Sequence, residues 1–185
     1  MHNNLPKFFI FLDRYSDLIL NNNSTNVGVI YRNYKDIKRE EELIKIAKLC
    51  KRKKIQIFVS NDLKLALKVK ANGLYIPSFN KKKFLNLENK KLKILGSAHN
   101  TKEIYEKISQ KCDAIFLSPT FPMKRYKKFL NIYKFNLLSL INNVAFMALG
   151  GINDNNIRKL KLLNIKGFGG IRMFKKKPAY KRPVF

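Results

Sequence analysis

The sequence predicts an α/β fold, a single closed (β/α)8 barrel of the TIM type in a short form with clipped helices, on three observations. Apolar runs of strand length recur along the chain, as in Phe8-Phe9-Ile10-Phe11-Leu12, the pattern of strands buried on both faces. Amphipathic stretches of helical spacing alternate with them. The last two runs end in glycine-rich or basic turns, Gly150-Gly151-Ile152-Asn153 and Gly169-Gly170-Ile171-Arg172, which is where such a barrel holds a phosphate.

The elements follow in order. Residues 8–12 read as the first strand, 14–20 as a brief helix and 27–31 as the second strand, separated by the polar break Asn21-Asn22-Asn23-Ser24. Residues 36–53 carry Ile37, Leu43, Ile44, Ile46, Ala47 and Cys50 among charges, a helix that Asp36 would cap. Strand three is 55–59. Ser60-Asn61-Asp62 then caps a helix with Leu63, Leu65, Ala66, Leu67 and Val69 on its apolar face, ended near Asn72-Gly73. Strand four is 74–76, and 80–89 is a lysine-rich, weak helix anchored by Phe84, Leu85 and Leu87. Strand five, 92–96, leads through Ser97-Ala98-His99-Asn100 into a helix with Ile104, Tyr105 and Ile108 on one face.

Strand six is 113–117. The loop 118–131 that follows holds two prolines and several basic residues, too long for a tight connection and so a candidate functional loop. A helix at 135–141, strand seven from Val144, a helix at 154–163 and strand eight from Gly167 complete eight units, with 175–185 as a short or loose tail.

With 185 residues, 45% of them hydrophobic, one domain over 1–185 with a sizeable core is expected, although the length is short for eight strand–helix units. Cys50 and Cys112 form no CxxC pair, so neither a disulfide framework nor a zinc knuckle is signalled. No stretch reaches the roughly 18 apolar residues of a membrane span, and the amino terminus lacks a signal pattern, so a cytoplasmic protein is expected. The formal net charge of +27 raises the question of nucleic acid. Lysine-rich, tryptophan-free composition has a plainer source in AT-rich codons, and the lysines lie where helix exteriors should be, so neither a specific nucleic-acid partner nor a membrane is expected.

In a (β/α)8 barrel the chemistry sits at the carboxyl ends of the strands. There the sequence places Arg32, Ser60-Asn61, Ser78 and Asn80, Ser97 and His99, then Ser118, Lys124, Arg125 and Lys127. No cluster of carboxylate, His or Cys ligands forms a dedicated metal site. A basic and polar mouth suits an anionic ligand, a phosphate ester held by Gly150, Gly151 and the amides near Ile171 and Arg172. Each of these has a plainer alternative: Gly-Gly as a tight turn, His99 as a hydrogen-bonded neighbour, Arg172 as a surface charge.

The residues resemble the thiamine phosphate synthase family and its TenI-like thiazole tautomerase relatives, from Phe8 to Phe174. The pieces that carry it are Leu65-Ala66-Leu67, Ala71-Asn72-Gly73-Leu74-Tyr75-Ile76, Ser97-Ala98-His99, Ser118-Pro119-Thr120-Phe121-Pro122 and Ala148-Leu149-Gly150-Gly151-Ile152. The resemblance implies a (β/α)8 barrel that joins an aminopyrimidine diphosphate to a thiazole phosphate and releases pyrophosphate, with Mg2+ clamping the diphosphate. Phosphorylated thiazole and aminopyrimidine ligands are the implied partners.

By that resemblance Arg32 matches the arginine of the diphosphate clamp "QLRxK", whose glutamine is replaced by Ile30 and whose lysine by Tyr34, beside Lys35. The family's asparagine and magnesium-binding aspartate fall on Ser60 and Asn61, its second aspartate on Asn80, with Asp62 one residue away. The "TxTK" that holds thiazole phosphate becomes Met123-Lys124-Arg125-Tyr126-Lys127, and Arg172 replaces a serine. Ser97 and His99 are the implied catalytic residues, a histidine at the His99 position moving a proton in the tautomerase branch. The expectation is therefore a transferase of the synthase type. A TenI-like isomerase or a non-catalytic phosphate-binding barrel is the alternative, with a basic nucleic-acid-binding protein behind both.

Overall fold

The computed structural model describes residues 5–16, 20, 26–83, 92–124, 126, 128–141, 143–171 and 174. Its strands are β1 Phe8–Leu12, β2 Val27–Tyr31, β3 Gln56–Ser60, β4 Gly73–Ile76, β5 Lys93–Ala98, β6 Ala114–Leu117, β7 Ala145–Leu149 and β8 Gly167–Gly170. Each pairs in parallel with its sequence neighbour, and β1 pairs with β8, which closes the barrel as expected. Between the strands lie α1 Arg39–Arg52, α2 Leu63–Lys68, α3 Thr101–Ser109, α4 Asn131–Ser139 and a 3-10 helix Ile157–Leu162. The helices are clipped, as 185 residues require.

Alternation along each strand divides the core into two shells. Phe9, Phe11, Ile30, Phe58, Tyr75, Leu95, Phe116 and Met147 point into the barrel, while Ile10, Leu12, Val29, Ile57, Val59 and their neighbours pack under the helices. Edge-to-face ring pairs fill the inside, Phe9 with Phe116 at 5.2 Å and Phe11 with Tyr75 at 5.3 Å between centroids. Rings this large fit because small residues face them: a Cβ on Gly28 would lie 2.7 Å from the Phe9 ring, its register partner across β1 and β2. A side chain at Gly28 would therefore push Phe9 out of its place.

The helices follow their charges and apolar spacing with several shifts from expectation. α1 buries Leu43, Ile46, Leu49 and Cys50, with Glu40, Glu41 and Glu42 in its first turn and Lys51 and Arg52 in its last, the order the helix dipole favours. It starts three residues later than expected, because the Asp36 carboxylate accepts from Lys38 N at 2.9 Å and closes the preceding turn instead of capping the helix. In α2, Asp62 is the N-cap, accepting from Leu65 N at 3.0 Å, while Leu67 is exposed rather than on the apolar face. In α3 the buried pair is Ile104 and Lys107, and Tyr105, expected inside, is exposed. α4 begins four residues earlier than expected, and its outward Tyr133, Leu137 and Leu140 are exposed apolar residues that obscured its phase. The expected helix at 154–163 is a 3-10 helix. Residues 17–19 of the first expected helix, 84–89 of the lysine-rich one, and the tail lie outside the described residues.

Candidate functional site

Parallel closure brings the carboxyl ends of all eight strands to one rim, and the polar residues there form two groups. On the β1–β5 side, Arg32 follows β2 directly, its backbone N–H donating to Leu12 O at 2.7 Å. Its guanidinium stands 5.6 Å from the Phe11 ring centroid and its Nε donates to Asp13 Oδ1 at 3.2 Å. Arg14, Asn33, Lys35, Asp13 and Asp36 line a cavity of about 290 Å³ beside it.

Next along the rim, Tyr34 and Ser60 share a hydroxyl hydrogen bond of 2.8 Å, and Phe79 stands edge-on to the Tyr34 ring. Burial pushes the Tyr34 phenol above its ordinary pKa. Tyr75, in β4, is buried edge-on to the Phe11 ring, and burial pushes its phenol up more strongly. The phenols thus stay protonated and able to donate. Tyr34 reads from sequence only as a replacement for the clamp lysine and Tyr75 only as a residue of the fourth strand.

Asn61 adopts φ 59°, and its N–H donates to Tyr75 O at 2.8 Å. Across the rim its side chain meets Asn80, whose Nδ2 donates to Asn61 Oδ1. Asp62, the nearby carboxylate, is committed elsewhere: one oxygen caps α2 and the other pairs with Arg39. Among the described residues no group of three His, Cys, Asp or Glu side chains could hold a metal ion. The residues present therefore do not fit a dedicated Mg2+ site.

Ser97 is buried near the end of β5, and His99 lies just beyond it. Glu103, one turn into α3, binds both the His99 backbone N–H at 2.7 Å and Nδ1 at 2.8 Å through the same oxygen. Asn100 caps the helix by accepting from Glu103 N. The sequence carries that lock as His99 and Glu103 four apart at a helix start, a signal that the apolar face alone did not reveal.

On the β6–β8 side the geometry is made by the backbone. Gly150 and Gly151 follow β7 with φ +86° and +75°, conformations that an L side chain resists. Thr120 N and Phe121 N donate to the carbonyls of Leu149 and Gly150 at 2.9 and 3.1 Å, and Asn156 Nδ2 donates to Gly151 O at 2.8 Å. The buried Thr120 hydroxyl lies 3.1 Å from the carbonyls of Leu117 and Leu149 and accepts from Leu149 N. The segment 118–122 is thus stapled to the end of β7, and with its carbonyls engaged, the turn offers amide N–H groups to an anion. Ile171 follows β8 against the inner core. Lys124 is exposed in the turn between the bridged Met123 and Tyr126. Lys127, Arg125 and Arg172 lie outside the described residues.

Residues 20–174 match the TMP-TENI family, described as thiamine monophosphate synthase. The chain is 36% identical over 129 residues to a thiamine-phosphate synthase of Prochlorococcus marinus subsp. pastoris, covering 65% of this chain and 36% of that protein. It is 30% identical over 125 residues to the Clostridium tetani thiamine-phosphate synthase, covering 63% of this chain and 58% of that one. The alignment thus spans little more than a third of the length of the Prochlorococcus relative. Among solved structures it is similar to a thiamine phosphate pyrophosphorylase from Pyrococcus furiosus, with a TM-score of 0.70, 17% identity, and 93% and 91% of the two chains covered. A second, from Bacteroides thetaiotaomicron, gives 0.61 at 15% identity, covering 90% and 82%. At those identities the likeness shows the fold.

Proposed function

Because the chain belongs to the thiamine monophosphate synthase family, we propose that it is a transferase of thiamine biosynthesis, joining an aminopyrimidine diphosphate to a thiazole phosphate. In that reaction the bond from the pyrimidine methylene carbon to the diphosphate oxygen breaks, the thiazole nitrogen bonds to that carbon, and pyrophosphate leaves. The observation that carries this reading is the stapled Gly150–Gly151 turn at the same strand-end rim as Arg32.

Each residue then has a role. The amides after β7, with those near Ile171 and Arg172, hold the thiazole phosphate. Arg32, with Lys124 and Lys127, offsets charge developing on the departing pyrophosphate. The phenols of Tyr34 and Tyr75 and the hydroxyls of Ser60 and Ser97 offer hydrogen bonds to the heteroaromatic rings between them. No step is routed through a metal, since the residues do not fit one. A cytoplasmic setting belongs to the same reading; both cysteines are buried free thiols, and no helix among the described residues is long and apolar enough to cross a membrane.

A second reading draws on the His99–Glu103 contact. A carboxylate on Nδ1 fixes the tautomer and leaves Nε2 as a base, the arrangement a thiazole tautomerase would use. Incubating the purified protein with both precursors and measuring thiamine phosphate tests the first reading. Product is expected from the wild-type chain and from His99→Asn alike, whereas a tautomerase would lose about 10²-fold in ring isomerisation on that change. Isomerisation without coupling would overturn the transferase reading.

A further inference from the structure

The hydrogen-bond polarity of the Asn61–Asn80 pair points to a different way of holding an anion from the carboxylates that the family resemblance places there. Asn80 Oδ1 accepts from the backbone N–H of Lys82 at 2.8 Å. A backbone N–H can only donate, so this contact fixes the Asn80 carboxamide with its NH2 end on the other side, towards Asn61. There Asn80 Nδ2 meets Asn61 Oδ1, which in turn fixes Asn61 with its own NH2 end turned away from Asn80. Among the described residues nothing accepts those last hydrogens. Two aspartates would present acceptors alone and would need a cation between themselves and a phosphate; this pair ends in donors.

Both ends of the relay are braced. Asn61 is held through its own N–H on Tyr75 O and sits in the left-handed region that asparagine tolerates. The Asn80 backbone carbonyl accepts from the ammonium of Lys107 at 2.7 Å and from Gln110 Nε2 at 3.0 Å, and the same Gln110 nitrogen donates to Lys82 O at 2.9 Å. Lys107 and Gln110 are both buried, so α3 clamps the turn that aims Asn80.

We propose that Asn61 donates its carboxamide N–H directly to an oxygen of a diphosphate or phosphate group, and that this chain binds the anion without a divalent metal. This rests on the mouth being the site of phosphorylated substrates, with Arg32 supplying charge from the neighbouring strand end and the amide supplying direction.

Calorimetric titration of the full chain with inorganic pyrophosphate, in Mg2+ and in EDTA, tests it. Wild-type affinity is expected to differ by less than about twofold between the two buffers. Asn61→Asp, which removes a charge-assisted hydrogen bond and adds a like charge, is expected to weaken binding in EDTA by about tenfold or more. The double variant Asn61→Asp with Asn80→Asp is expected to recover binding only with Mg2+, and to bind Mn2+ alone, read by the loss of the free-ion paramagnetic signal. The proposal is overturned by wild-type binding that needs Mg2+, by no binding in either buffer, by an Asn61→Asp variant that binds as wild type in EDTA, or by a folded double variant that takes up no Mn2+. Failed coupling with metal-free pyrophosphate binding intact would strike the transferase reading alone, and metal-dependent binding with coupling intact would strike this one alone.

Discussion

On the β7 side of the mouth the candidate contact atoms belong to the backbone, whereas on the β2–β4 side they belong to side chains. The Gly150–Gly151 turn keeps its shape because its carbonyls are held by Thr120, Phe121 and Asn156, so almost any sequence that preserves those bonds preserves the amides. The β2–β4 side depends on what each residue carries at its tip. There a clamp lysine has become Tyr34, bonded to Ser60, and two carboxylates have become an amide pair, all by resemblance to the family pattern. A backbone cradle outlasts sequence drift, and a side-chain cradle changes its chemistry one residue at a time.

That contrast is open to attack from both sides. Gly151→Ala should have the largest effect, because its Cβ would lie 2.3 Å from Phe121 O at a φ of +75°; a loss of about 3 kcal/mol or more in urea unfolding is expected, with thiazole phosphate binding lost alongside it. A fully stable variant would show that the turn is not what shapes the β7 side. Thr120→Val keeps the volume but removes the hydroxyl between Leu117, Leu149 and the turn, for an expected loss of about 1 to 3 kcal/mol by the same measurement. Asp62→Asn should be mildest, under about 1 kcal/mol, since asparagine still caps α2 and only the partly exposed pair with Arg39 is given up. A larger loss there would mean that the β3 loop is as tightly determined as the β7 turn.

The barrel could be read from the chain because a strand buried on both faces leaves a continuous apolar run, and the tight turn after β7 was legible in Gly150 and Gly151, which take the positive φ that glycine favours. What could not be read was which polar group each side chain meets. Asp36 and Asp62 have the same capping chemistry, yet one closes a turn and the other caps a helix. Lys107 is not on the apolar face that the sequence offers for α3, yet it is buried against the 80–82 turn and braces it. Tyr105 fell on the wrong side of α3 because that helix buries the lysine in preference to the aromatic ring. The metal question was half legible: by resemblance Asn61 and Asn80 stand where the family has carboxylates, but only the fold brings them to each other.

The tyrosines of the mouth have an optical consequence. The chain contains no tryptophan, so no indole drains excitation from its phenols, and intrinsic ultraviolet emission comes from tyrosine. Tyr34 holds its hydroxyl against Ser60 at the rim, and Tyr75 stands edge-on to the Phe11 ring that Arg32 covers. On the proposed reading, a heteroaromatic substrate at this rim would lie near those emitters and change their surroundings. The mouth would then carry its own reporter, one that needs no label.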